Sequence, residues 1–243
     1  MSKIVIQQIN DSSDKYFKKH DIFDLPMRLL LIGKSQLSGK TSLLINLIAQ
    51  EWGYKSYFKP EDIYIISPSS KTEKLTKFVN YMDIPLGNIF DAYDEDEINV
   101  LYELLKQEHD KDEEKEHKLL IFDDCSYSGK LSSLANKSDN VMEKLFCNGR
   151  HQLISVIIIA QKYTQLSTCL REQATGIIMW ESSNQQIEKL EEEHNSITDK
   201  KKFIIAFRNA VKDKHSFFTI NYKYQPEHRY FKGLSEQIIF SKN

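Results

Sequence analysis

Residues 27–50 read MRLLLIGKSQLSGKTSLLINLIAQ, which is an apolar run, a short loop of small residues and a second apolar run. This order is typical of a buried strand that enters a phosphate-binding loop and then a helix. The backbone N–H groups of such a loop point at phosphate oxygens, and the helix N-terminus adds a partial positive charge. The segment therefore predicts a nucleotide site at the carboxyl end of the strand.

The residues of this loop have separate expected tasks. Lys40 is expected to reach the β- and γ-phosphates, the hydroxyl of Thr41 to bind Mg²⁺, and Gly39 to let the backbone approach the phosphates closely. Five residues separate Gly33 from Gly39, one more than the usual pattern, so either the loop bulges or Lys34 stands where glycine is usual. The full set expected to bind nucleotide is Gly33, Lys34, Ser35, Ser38, Gly39, Lys40, Thr41 and Ser42.

The overall composition is that of a globular protein. The chain has 243 residues, of which 40% are hydrophobic and 28% charged, enough for one sizeable α/β domain. Its formal net charge of −2 means that a nucleic-acid partner would require basic residues gathered locally or by oligomerisation. Cys125, Cys147 and Cys169 have no metal-ligand spacing, which indicates a reducing compartment. We expect no secretory signal and no membrane span.

Four further apolar runs predict the other buried strands, at residues 62–67, 118–124, 154–161 and 176–180. Each is short, continuous and rich in Ile or Leu, as are strands buried on both faces of a parallel sheet. Helical patterns alternate with the strands, so we predict a three-layer α/β fold with right-handed crossovers. The helical patterns cover residues 40–52, 70–82, 95–109, 137–151 and 184–194.

The two ends of the chain differ from this alternation. Residues 1–24 are expected to form an N-terminal extension, and residues 25–243 a single P-loop domain. Residues 202–210 and 215–224 flank a short polar segment and predict an antiparallel hairpin at the sheet edge. This hairpin belongs to a C-terminal part that spans about residues 203–243.

Two aspartates end the strand predicted at residues 118–124. Asp123 is expected to hold the Mg²⁺ shell through water, and Asp124 to orient or deprotonate the water that attacks the γ-phosphate. The alternative is that the pair only caps the next helix or loop.

Gln161 follows five consecutive apolar residues, 156–160. Ligands of parallel sheets lie at the carboxyl ends of the strands, so the Gln161 amide is expected near the γ-phosphate, where it can both donate and accept a hydrogen bond. The alternative is an ordinary polar residue at a strand end.

Arg171 and Arg150 are the two candidates for an arginine that stabilises the transferring phosphoryl group of a neighbouring subunit. The alternative for Arg171 is a surface salt bridge. The alternative for Arg150 is a favourable positive charge at a helix C-terminus.

Taken in order, GKSQLSGKT, LLIFDDCS, NGRHQLISVIIIAQKY and LREQAT resemble the HerA/FtsK superfamily of P-loop ATPases. Within it, the chain is similar to the genome-packaging ATPases of large DNA viruses of the poxvirus type, virophages and polinton-like elements. The similarity spans roughly residues 27–182. It implies a RecA-like core that works as a ring, most often a hexamer, and uses ATP and Mg²⁺ to pump double-stranded DNA into a preformed capsid.

The resemblance also implies roles for single residues, with Lys40 and Thr41 in Walker A, Asp123 and Asp124 in Walker B, Gln161 as the sensor and Arg171 as the better match to the arginine finger.

Its implied partners are double-stranded DNA, further copies of the chain as a homohexamer, and a viral capsid or portal vertex. A membrane is not among them. The implied location is the host cytoplasm or a viral factory, with association with the virion as a further expectation. Because pore loops grip phosphates, candidate DNA contacts are Lys130, Lys137, Lys200, Lys201 and Lys202. The alternative for each lysine is plain solvation.

Two other classes of function share a P-loop. A nucleoside or nucleotide kinase usually has an arginine-rich lid, and no segment here has one. An ATP-binding assembly protein with little turnover would not need the intact lysine, threonine and aspartate pair. Both classes stay open as alternatives to the DNA translocase.

Overall fold

The computed structural model describes residues 14–35, 38–125, 140–197 and 199–240. The strands are β1 (Arg28–Ile32), β2 (Ile63–Ile66), β3 (Ile89–Phe90), β4 (Lys118–Asp123), β5 (Ile154–Ala160), β6 (Gly176–Met179), β7 (Phe218–Asn221), β8 (Tyr230–Lys232) and β9 (Glu236–Gln237). The α-helices are α1 (Lys40–Ala49), α2 (Glu73–Tyr81), α3 (Glu95–Lys111), α4 (Val141–Asn148), α5 (Thr168–Glu172), α6 (Asn184–His194) and α7 (Lys200–Ala210).

One mixed sheet contains all of these strands, in the order β3-β2-β4-β5-β1-β6-β7-β8-β9. The first six strands of that order are parallel, and the last three pair antiparallel. In the centre, Leu30 of β1 lies opposite Ile158 of β5 and Ile177 of β6. This arrangement confirms the predicted α/β class, with a mostly parallel sheet and an antiparallel C-terminal edge.

The two faces of the sheet carry separate apolar cores, because successive side chains of a strand point to opposite faces. Leu29 and Leu31 of β1 pack on the face covered by α1 and α2. Leu30 and Ile32 pack on the face covered by the other five helices. All four side chains are fully buried, which explains why the strand reads as a continuous apolar run rather than an alternating one.

Part of the predicted N-terminal extension packs against the domain. The side chain of Phe23 is buried in the core on the α1 side of the sheet. Its ring lies so close to Gly176 that a Cβ on that glycine would come within 2.4 Å of it. Any side chain at position 176 would therefore displace this segment. The predicted boundary after residue 24 stays a prediction.

Residues 202–210 are not a strand, which corrects the hairpin predicted for this segment. They lie in α7, where the carboxylate of Asp199 accepts a hydrogen bond from the backbone N–H of Lys202 and caps the helix. Phe203 and Phe207 are fully buried whereas Ile205 is 58% exposed, a four-residue period that a strand cannot produce. The antiparallel edge is formed by β7, β8 and β9 instead.

Among the residues described, no helix combines the length and the apolar character that crossing a bilayer requires.

A matched pair of substitutions tests the helical assignment of residues 200–210. Phe207→Ala is expected to lower the free energy of unfolding by about 3–5 kcal/mol, because it empties a buried site. Ile205→Ala, on the solvent face of the helix, is expected to change it by less than about 0.5 kcal/mol. Urea unfolding followed by circular dichroism measures both. Equal losses in the two variants would contradict the helix, since both residues share one face in a strand.

Candidate active site

The phosphate-binding loop runs from the end of β1 to the start of α1. Its first residue, Gly33, donates its N–H to the carbonyl of Ala160 in β5 at 3.1 Å, which holds the loop to the sheet. Its last residue, Gly39, has φ +84°, a left-handed conformation that favours glycine. Helix α1 begins at Lys40, so its first N–H groups point into the loop. Residues 36–37 lie outside the described residues, so a bulge in the loop stays a prediction.

The side chain of Lys40 lies inside this loop. Its ammonium donates hydrogen bonds to the carbonyl oxygen of Lys34 at 3.0 Å and to Oγ of Ser38 at 3.3 Å. Burial lowers the pKa of Lys40, and the charges of Asp124 and Asp123 oppose that shift. The ammonium is thus held by oxygen atoms of the phosphate-binding loop itself.

A cavity of about 410 Å³ opens between the loop and the start of α2. It brings together the loop, the metal candidates and the paired aspartates, as the sequence predicts, because the carboxyl ends of β1, β2 and β4 meet at one edge of the sheet. Its lining consists of Ser35, Ser38, Gly39, Lys40, Thr41, Ser42, Ser69, Thr72, Glu73, Lys74, Leu75, Asp123 and Asp124.

Asp123 is the last residue of β4 and is only 6% exposed. The hydroxyl of Ser67, at the end of β2, donates to Oδ2 of Asp123 at 3.4 Å. Burial, followed by the charge of Asp124, raises the pKa of Asp123 to about 6, although Lys40 and the Ser67 hydrogen bond oppose the shift. The carboxylate therefore carries a negative charge that its surroundings compensate incompletely.

Thr41 and Asp123, the two predicted metal ligands, both line the cavity. A hydroxyl and a carboxylate are hard oxygen donors of the kind that Mg²⁺ prefers. A divalent cation would also supply the positive charge that the buried Asp123 lacks. This donor set fits Mg²⁺.

Asp124 has a left-handed backbone with φ +57°, which is uncommon outside glycine and costs energy. Its N–H still bonds to the carbonyl of Ile159 in β5 at 3.2 Å, so the chain turns sharply while it is tied to the sheet. The turn directs the carboxylate toward Gln161, whose Nε2 donates to its two oxygens at 2.9 and 3.1 Å. Because a carboxylate only accepts hydrogen bonds, the amide nitrogen is the end that faces it. The pairing of Asp124 with Gln161 was not predicted.

Sequence reasoning also missed the residues that approach the site from β2. Ser67 lies behind Asp123, while Ser69 and the start of α2 line the cavity. A signal was present, because the polar run SPSSKTEK begins at Ser67, the last residue of the strand predicted at 62–67, and therefore belongs to the same edge of the sheet.

A second cavity, of about 250 Å³, lies on the other flank of the phosphate loop. Lys34 and Ser38 line it from the loop, Trp180 from the end of β6, and residues 211–216 from the segment before β7. Nδ1 of His215 lies 3.7 Å from where a Cβ on Gly39 would be. No local signal marks residues 211–216, since only the pairing of β6 with β7 brings them here.

Arg171 is engaged within its own chain. The residue is 7% exposed, and its guanidinium pairs with the carboxylate of Glu193 at 2.7 Å and donates to the carbonyl of Leu166 at 3.0 Å. It also lies over the ring of Tyr163, 5.2 Å from the ring centroid. The surface salt bridge considered for Arg171 is wrong, because the ion pair is buried. Action on a neighbouring subunit stays a prediction, and it requires the guanidinium to leave Glu193.

Arg150 lies far from the phosphate loop along the strands. Its side chain is exposed and lies close to Arg28, the first residue of β1. The phosphate loop follows Ile32, the last residue of β1, and so lies at the opposite end of this strand. Within one chain, the structure therefore does not bring Arg150 to Lys40. A role at a neighbouring site stays a prediction.

The lysines proposed to contact DNA are described only in part. Lys200 and Lys201 are exposed at the start of α7, and Lys202 is half-buried. The ammonium of Lys200 lies 3.6 Å from a carboxylate oxygen of Glu191 in α6. Residues 126–139, which contain Lys130 and Lys137, lie outside the described residues.

Residues 14–222 match the family model of the poxvirus A32 protein. The chain belongs to this family. The match confirms the resemblance that the ordered motifs suggested. No curated protein sequence matches the chain.

Solved structures share the fold of this family member. The genome packaging NTPase B204 from Sulfolobus turreted icosahedral virus 2, solved with AMP, matches with a TM-score of 0.56 and 19% identity, over 82% of this chain and 94% of that chain. The DNA-packaging ATPase B204 from Sulfolobus Turreted Icosahedral Virus matches with a TM-score of 0.51 and 18% identity, over 84% of this chain and 94% of that chain. At these identities the likeness establishes the fold.

Replacing Arg171 is expected to destabilise the protein whatever its effect on catalysis. Arg171→Ala removes the 2.7 Å ion pair from Glu193, which keeps Lys189 at 3.4 Å and the hydroxyl of Tyr163, and we expect a loss of about 1–3 kcal/mol in the free energy of unfolding. Arg150→Ala removes an exposed side chain and is the matched control, with an expected change below about 0.5 kcal/mol. Chemical denaturation measures both. If Arg171→Ala were as stable as Arg150→Ala, the buried ion pair would not hold in solution.

Proposed function

We propose that this chain is an ATP-hydrolysing DNA translocase that packages viral double-stranded DNA into preformed capsids. The observation that carries the proposal is one cavity that joins a P-loop lysine to two strand-end aspartates, in a member of the poxvirus A32 family. Solved proteins of the same fold are described as genome packaging NTPases in complex with AMP or AMPPCP, which supports ATP as the nucleotide.

The proposed reaction is attack of water on the γ-phosphate of ATP. Lys40 would exchange its bonds to the loop oxygens for bonds to the β- and γ-phosphates and offset the charge that develops there. Thr41 and Asp123 would hold Mg²⁺, which supplies further positive charge to the phosphate oxygens. Asp124, beyond Asp123 on the same turn, would orient the water and accept its proton.

Gln161 is proposed to couple this chemistry to the rest of the domain. Its amide holds the Asp124 carboxylate in the resting arrangement. Its backbone leads directly to Tyr163, which is fully buried and hydrogen-bonds to Glu193 at 2.5 Å. A change at the γ-phosphate that moves Gln161 would therefore reach the contacts that hold Arg171.

The two aspartates and Thr41, which would hold the metal, line the cavity on the β4 flank of the loop, so the γ-phosphate is proposed to lie there. The adenine base of ATP would then lie on the opposite flank, in the cavity lined by Trp180 and residues 211–216. His215, whose backbone carbonyl accepts a hydrogen bond from Nε1 of Trp180 at 3.2 Å, is the proposed contact to the base.

A homohexameric ring is the proposed working form. In such a ring an arginine of one subunit can complete the site of the next, and Arg171 or Arg150 would serve after rearrangement. The lysines at 130, 137 and 200–202 are proposed to line the DNA channel, and a capsid or portal vertex to be the docking partner. The proposed location is the host cytoplasm or a viral factory, with association with the virion.

Steady-state ATP hydrolysis, with and without long double-stranded DNA, tests the function directly. We expect DNA to stimulate turnover at low salt and the stimulation to fade as salt rises, because phosphate contacts release counterions. Lack of a DNA effect at any salt, together with phosphorylation of an added nucleoside, would support the kinase alternative and overturn the translocase.

Two variants assign that turnover to the site, and a third is the control. Lys40→Ala is expected to lower kcat by at least about 10²-fold, and Asp124→Asn by about 10²–10⁴-fold, with the fold retained. Lys55→Ala is the control, because its ammonium is exposed and pairs only with Glu51 and Tyr81 in the described surface. Full activity in either site variant would refute the assignment of that residue.

His215→Ala tests where the adenine base of ATP binds. If His215 contacts only the base, the variant should raise KM for ATP and leave kcat nearly unchanged, as expected when uniform binding is lost. Inhibition by tripolyphosphate, which has no base, should be the same in both proteins. An equal weakening of ATP and tripolyphosphate would place His215 on the phosphates instead.

A further inference from the structure

Two cysteines lie against each other on the face of the sheet opposite α1. Cys147 is in the last turn of α4, Cys169 is in α5, and their sulfur atoms are 3.1 Å apart. Both side chains are partly exposed, whereas the third cysteine, Cys125, is buried. The proposed reaction uses neither Cys147 nor Cys169.

We propose that Cys147 and Cys169 form a covalent modification site, a dithiol that a small-molecule disulfide such as oxidised glutathione converts to an intrachain disulfide between α4 and α5. A disulfide needs its sulfur atoms about 2.05 Å apart, so the pair at 3.1 Å has only about 1 Å to close. Partial exposure gives the oxidant access. The site is independent of the proposed function.

The charged groups around the two sulfur atoms differ. This difference indicates which sulfur attacks the oxidant first and which one then closes the disulfide. The guanidinium of Arg28 is close enough to Cys147 for their charges to interact. Cys169 has Glu143 and Glu172 beside it, and burial together with its hydrogen bond to Cys147 raises its pKa to about 12. Cys147 is therefore the attacking sulfur and Cys169 the resolving one.

The oxidation takes place in two thiol–disulfide exchange steps. The Cys147 thiolate attacks one sulfur of oxidised glutathione, forms a mixed disulfide and releases one glutathione thiolate. Cys169 gives up its proton, to solvent or to the released thiolate, and its sulfur attacks Sγ of Cys147. The Cys147–Cys169 bond forms and the second glutathione leaves. The protein loses two protons and two electrons, and the oxidised glutathione takes them up and becomes two thiols.

The cross-link would close the chain between residues 147 and 169, which includes β5 and Gln161. A closed loop restricts the unfolded chain, so the oxidised protein should have a higher Tm than the reduced protein.

The test treats the full chain with oxidised glutathione and measures intact mass, free thiols and Tm. The wild type is expected to lose two of its three titratable thiols, to lose the mass of two hydrogen atoms, to yield a linked peptide pair and to gain Tm. Dithiothreitol should reverse all four changes. Cys169→Ser is the matched control and should stop at a stable glutathione adduct on Cys147.

A trivalent arsenical such as phenylarsine oxide provides a second measurement without oxidation. It bridges two adjacent thiols, so it should bind the reduced wild type at one equivalent and bind Cys147→Ser and Cys169→Ser much more weakly. Persistent glutathione adducts on the wild type without a linked peptide pair would overturn the proposal. Equal arsenical binding by all three proteins would do the same.

Discussion

The parallel pairing of β1 with β5 and β6 is the constraint on which the rest of the molecule depends. It places β1 in the middle of the sheet, with both faces buried. Because parallel strands end at a common edge, this pairing and that of β4 with β5 bring together the phosphate loop, the two aspartates at the end of β4 and Gln161 after β5. The fold and the candidate site are thus two consequences of one hydrogen-bonding pattern.

The sequence predicted best where one local signal decides the structure. The five central strands are continuous apolar runs, as strands buried on both faces are, and the predicted bounds of each lie within one or two residues of the observed bounds. The phosphate loop and the two aspartates follow strand ends, so their meeting could be inferred from parallel topology alone. Residues 202–210 failed because a short segment with Phe203, Ile205 and Phe207 also fits the alternation of a strand.

The contacts that could not be predicted join distant parts of the chain. Ser67 reaches Asp123 across neighbouring strands, and residues 211–216 reach the phosphate loop only because β7 pairs with β6. The surroundings of Arg171 were predicted least accurately. Its salt-bridge partner, Glu193, lies in the acidic helix α6, and no local sequence pattern fixes how α6 packs against α5. Side-chain pairing of this kind is decided by tertiary packing, which periodicity does not encode.

The left-handed backbone at Asp124 restricts which residues position 124 can hold. Aspartate and asparagine tolerate this conformation better than residues with longer or branched side chains. A glutamate there would combine a longer acid with greater backbone strain, so it is not a simple extension of the aspartate by one methylene. The shape of the main chain, tied to β5 through its N–H, thus selects the shorter acid before any chemistry takes place. Sequence variation at this position is expected to follow backbone geometry as much as acidity.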